Sequence, residues 1–70
     1  MNISLNKLIE KYHDKINYLG TTYGKNNKQY IQVGNVDFAE TLIFHYDNIK
    51  LIRAKSTYAP EIKKAFITLK

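Results

Sequence analysis

At 70 residues the chain makes one domain, close to the smallest size that folds without staples. It has no cysteine, which excludes disulfides, thiolate metal sites and a cysteine nucleophile, so the core must come from the 44% of residues that are hydrophobic. The net charge of +5 favours polyanions through counterion release, yet Arg53 is the only arginine, and arginine is the residue that grips phosphate or guanine in a fork.

Asn, Lys, Ile, Tyr and Phe make up 35 of the 70 residues, all with A/T-rich codons. An A/T-rich bacterium or its phage produces this bias without selection for function, so the lysine excess has a second explanation. No apolar run approaches the roughly eighteen residues of a membrane span, and no charged-then-apolar leader opens the chain. A cytoplasmic protein with no membrane partner is the expectation.

Residues 1–19 open with helical periodicity: Leu5, Leu8, Ile9, Tyr12, Ile16 and Leu19 follow three-four spacing. Asn2 or Ser4 is suited to cap the start. The helix is expected to stop near Asp14, because Ile16–Leu19 and Thr21–Tyr23 are rich in strand formers. Gly24-Lys25-Asn26-Asn27 then reads as a loop joining Tyr18–Tyr23 to Lys28–Val33 in a hairpin. A four-residue loop sets Tyr23 opposite Lys28 and Thr21 opposite Tyr30. Leu19, Thr21, Tyr23, Lys28, Tyr30 and Gln32 then face outward, and Tyr18, Thr22, Ile31 and Val33 inward. Leu19 fits this register poorly.

After Gly34-Asn35, the stretch Val36–Glu40 is ambiguous between a helical turn and a strand. Thr41–Ala54 holds the densest apolar sequence, split only by Asp47-Asn48, and reads as a second hairpin. Its two-residue turn pairs Tyr46 with Ile49, Phe44 with Leu51 and Leu42 with Arg53. Leu42, Phe44, Tyr46, Ile49 and Leu51 are therefore the expected core face. Pro60 and Glu61 suit the start of a last helix, with Ile62, Ala65, Phe66 and Leu69 as its apolar stripe. The expected fold is α+β: an N-terminal helix, a three- or four-stranded antiparallel sheet built from hairpins, and a C-terminal helix.

The chemistry on offer is sparse. His13 and His45 are the histidines available for acid–base or ligand roles, but no His-x-x-x-His or carboxylate cluster supplies three converging ligands. Adjacent His13 and Asp14 on a helix point about 100° apart, a poor ligand pair. Gly20, Gly24 and Gly34 lack phosphate-loop spacing, and neither Ser4 nor Ser56 sits in a nucleophile elbow. No enzyme activity, cofactor or metal is expected.

Basic and aromatic residues carry the better signal. Tyr23, Lys25, Lys28 and Tyr30 form one candidate contact patch, and Lys55, Tyr58, Lys63 and Lys64 a second on the last helix. Tyrosine anchors protein interfaces and stacks on nucleic-acid bases, so both partner classes fit. The arginine deficit places a protein partner first and nucleic acid second. The expected function is a small non-enzymatic interaction protein that sterically blocks or modulates a larger macromolecule. A phage-encoded inhibitor of a host enzyme or defence system is of this size. An open edge strand also makes self-association a route to oligomers.

Overall fold

Two local caps and one long strand pairing decide the architecture. The computed structural model describes residues 1–55 and 63–70, without the side chains of Lys55 and Lys63. Helix α1 (Leu5–Tyr12) starts at Ser4, whose hydroxyl accepts from the Lys7 amide at 3.2 Å. Leu5 and Leu8 are buried, and Ile9 and Tyr12 pack at the core margin. The helix stops before Asp14, as the strand-rich continuation predicts. Asn17 then takes a left-handed φ of 52°, a conformation asparagine tolerates. Ile16, in the same turn, is fully buried.

Strands β1 (Tyr18–Tyr23) and β2 (Gln29–Val33) form the expected first hairpin, with Ile31 and Val33 buried. Its register differs by one residue. Thr22 pairs with Tyr30 and Tyr23 with Gln29, not Thr21 with Tyr30 and Tyr23 with Lys28. The cause is a five-residue loop: the Gly24 amide donates to the Lys28 carbonyl at 2.8 Å around a 3₁₀ turn at Lys25–Asn27. Asn26 and Asn27 both sit at φ 60°. A one-residue slip reverses faces, so Thr22 turns outward with Tyr30, while Thr21 and Tyr23 lie on the other side. An irregularity between Tyr18 and Gly20 falls at Leu19, which is exposed as the outward placement expects.

Thr41–Ala54 is not a hairpin. Residues 36–45 form α2 (Val36–His45), capped by Asn35, whose side-chain oxygen accepts from the Phe38 amide at 3.1 Å. Asp37 lies in the first turn, where the helix dipole favours it. Ala39, Leu42 and Tyr46, spaced by three and four, are buried. Phe44 falls off that stripe and is 93% exposed, so it is not a core residue. Local β-propensity at Thr41–Tyr46 yields to a cap followed by a helical apolar stripe. Asp47-Asn48 is a turn as expected, but it joins a helix to a strand.

β3 (Ile49–Lys55) pairs along its whole length with β4 (Lys63–Leu69), from Ile49–Leu69 to Lys55–Lys63. The expected C-terminal helix is therefore a strand over these residues; Pro60, Glu61 and Ile62 lie outside the described residues. The stripe that suggested a helix splits between faces. Ala65 and Ile67 point to the core beside Val33 and Ile31, and Phe66 points the other way. Beyond the last β2–β4 ladder pair, the buried Thr68 hydroxyl donates to the Gln29 carbonyl at 2.7 Å.

The four strands lie in the order β1-β2-β4-β3, every neighbour antiparallel. Side chains of α1 and α2 share one core with Ile31, Val33, Ile49, Ala65 and Ile67, so both helices cover the same face of the sheet. Turn-to-turn bonds hold the layers in place. The Ile16 carbonyl accepts from the amides of Gly34 at 3.1 Å and Asn35 at 3.0 Å. A Cβ at Gly34 would overlap the Asn17 side chain, so glycine is needed for this approach.

The first residues are tied to the α2–β3 turn. Asn48 accepts from the Ile3 amide at 3.1 Å and donates to the Ile3 carbonyl at 2.8 Å. Beside it, the Met1 ammonium meets the Asp47 carboxylate at 2.8 Å and holds that carboxyl below its ordinary value. A depressed carboxylate pKa adds stability above the unfolded-state value, and this is lost as pH falls through the folded-state value. Thermal melts of Asp47→Asn and the parent should therefore converge at acid pH and separate, the parent higher, towards neutrality. Parallel curves across that range would show that the pair contributes nothing.

Candidate binding face

Alternation along the strands leaves Thr22, Tyr30, Gln32, Lys50, Ile52, Ala54, Lys64 and Phe66 on the face opposite the helices. None of these is buried; Thr68, which the same alternation sets on this face opposite Lys50, is fully buried, and no described helix packs over the face. Tyr30 and Phe66 sit on the two central strands. Their rings meet edge to face, centroids 6.5 Å apart, an arrangement aromatic quadrupoles favour. Tyr30 also lies across Gly24, where a Cβ would come within 2.7 Å of its ring. Loop and partner ring together hold the tyrosine in place at the middle of an open sheet.

Of the first candidate patch, Tyr30 is on this face and Tyr23 is on the opposite side of the edge strand, exposed. Lys25 is exposed in the 3₁₀ turn, and half-buried Lys28 lines a cleft elsewhere. The two tyrosines therefore do not share a surface, a correction that follows from the register slip. In the second patch Lys64 stands exposed on the open face opposite Ala54. Lys55 and Lys63 are paired through their backbones at the end of the β3–β4 hairpin rather than on a helix. Tyr58 lies outside the described residues. Sequence alone does not mark Phe66, Ile52 and Lys50 as contact residues; only the β2–β4 and β3–β4 pairings reveal that they share a face with Tyr30.

Charge is divided between the layers. The four strands contain Lys50, Arg53, Lys55, Lys63 and Lys64 but no Asp or Glu. Glu10, Asp14, Asp37, Glu40 and Asp47 all lie on the helices or their turns. Arg53 forms an ion pair with Glu40 of α2, which commits the one arginine to the helix side.

Sites for chemistry are few among the described residues. No group of three His, Asp or Glu side chains converges as metal ligands. His13 does meet Asp14, its Nε2 3.3 Å from the carboxylate, because the helix has ended at Tyr12; both are well exposed. Exposed His45 packs edge-on against Tyr46. The Tyr12 and Tyr46 hydroxyls lie 3.0 Å apart, and this contact pushes the Tyr46 phenol up and draws the Tyr12 phenol down. An open-sided cleft of about 350 Å³ lies between Ser4–Asn6, Asn27–Gln29 and Thr68–Leu69. Its buried hydroxyl, Thr68, is already engaged by the Gln29 carbonyl. No helix among the described residues is long and apolar enough to cross a membrane.

Comparison with known proteins found no matching family model, no matching curated protein and no matching solved structure.

Proposed function

We propose that this is a small non-enzymatic interaction protein that occupies a surface of a larger macromolecule and thereby blocks or modulates it, and that the open sheet face is its contact surface. One observation carries the reading: an aromatic pair, Tyr30 and Phe66, stands at the centre of a sheet face that neither helix covers. Half-exposed aromatics at the middle of a patch are the side chains that supply most of the binding energy when a partner excludes water from them. Ile52 and Ala54 extend the apolar centre, and Lys50, Lys64 and Gln32 surround it. Size and A/T-leaning composition support a phage inhibitor as one form of this function.

The test uses Ile52→Glu, which puts a charge into the middle of the face without touching the helix-side core. Tagged parent and variant are used to capture partners from a low-GC bacterial lysate, with thermal melting run beside capture. The reading expects a partner held by the parent and released by Ile52→Glu, with melting only slightly changed. Retention of that partner by a folded variant places the contact elsewhere on the molecule.

A further inference from the structure

The partner's chemistry can be taken one step further, on the premise that the open sheet face is the contact surface. Here Lys50 and Lys64 stand four strand positions apart, about 13 Å at strand spacing, on either side of Ile52 and Phe66. No carboxylate lies on the described strands to oppose them. Ring faces bracketed by cations suit a ligand that alternates flat apolar groups with negative charge.

We infer that the open sheet face binds single-stranded nucleic acid, with bases against Tyr30 and Phe66 and the phosphate backbone running between Lys50 and Lys64. A duplex fits poorly, because it hides its base faces. The lone arginine is held by Glu40 on the helix side, so the face has no guanidinium fork for reading base edges. Binding is therefore blind to sequence and driven by stacking and charge, as on other single-strand platforms.

Two phosphate contacts give a salt slope near −1.4 for a single strand, or about sevenfold weaker binding from 50 to 200 mM salt. The probe is a fluorescein-labelled thymidine 15-mer followed by anisotropy, beside a duplex of equal length. Lys50→Gln with Lys64→Gln should bring the salt slope close to zero. Lys7→Gln with Lys11→Gln, the same charge loss on exposed positions of α1, should leave it intact. Phe66→Leu, which keeps apolar bulk but removes the ring, should weaken binding at least about fivefold. Equal loss in both lysine pairs, or a duplex bound as tightly as the single strand, overturns the inference. If the 15-mer fails to bind while a nuclease-resistant protein partner is released by Ile52→Glu, the occupant is a protein and the contact surface stands. If Ile52→Glu alters neither, both readings fall.

Discussion

Ile67→Ala should lower stability by about 3–4 kcal/mol, whereas Phe44→Ala should change it by less than about 0.5 kcal/mol. Ile67 is fully buried on the central strand β4, between Ile31 of β2 and Leu51 of β3. Removing its side chain leaves a cavity that a paired strand on each side cannot collapse to fill. For a domain of this length, total stability is roughly 4–10 kcal/mol at typical per-residue values, so the variant would lose about a third or more of it. Phe44 is the larger side chain, yet at 93% exposure it has little packing to lose. Urea melts of the two variants beside the parent decide the matter. A destabilised Phe44→Ala with a near-normal Ile67→Ala would mean that α2 is rotated to bury Phe44 and that β4 turns Ile67 outward.

The second large effect is expected at Asn48. Its side chain bonds to both the amide and the carbonyl of Ile3, and its own carbonyl accepts from the Lys70 amide at 2.9 Å. One turn residue thus binds the chain ahead of α1 and the end of β4 together. Asn48→Ala leaves two part-buried backbone groups of Ile3 without partners, each costing about 1–3 kcal/mol when unsatisfied. Partial rehydration offsets some of this, so a net loss of about 2–3 kcal/mol is expected. Amide exchange should locate it: Ile3 should lose protection, while Ile31 follows only the global change. A variant with parental stability would show that water replaces both bonds at no cost.

The parts of the fold legible in sequence were those set by near neighbours. The Ser4 cap, the stop before Asp14, the first hairpin and the burial of Ile31 and Val33 all follow from a cap or from alternation within a few residues. Helix α2 was hidden because Thr41–Tyr46 is rich in strand formers. The deciding features were Asn35 as a cap and the spacing of Ala39, Leu42 and Tyr46. Strand β4 was hidden for a different reason. Ala65, Phe66 and Leu69 satisfy a helical stripe, and only pairing with the distant β2 and β3 makes Ile67 the inward residue.

The candidate face was half legible for the same reason. Tyr30 and Lys64 were named from composition, but their neighbours on the face depend on register. One extra loop residue at Gly24–Lys28 separates Tyr30 from Tyr23 and leaves it with Phe66. Alternation is unforgiving of a single-residue error, since every side chain beyond it changes sides. Loop length in a glycine-asparagine turn is the quantity that sequence constrains least, because those residues accept several backbone conformations.

The central claim, that the uncovered sheet face binds single-stranded nucleic acid, is tested most directly by amide chemical-shift mapping of the ¹⁵N-labelled protein. Unlabelled thymidine 15-mer is added at low salt to about 0.1 mM, within the range of sequence-blind binding. The account predicts shifts concentrated at Tyr30, Gln32, Lys50, Ile52, Lys64 and Phe66, with α2 unmoved. Shifts gathered instead around Glu40 and Phe44, or none at all, would contradict it.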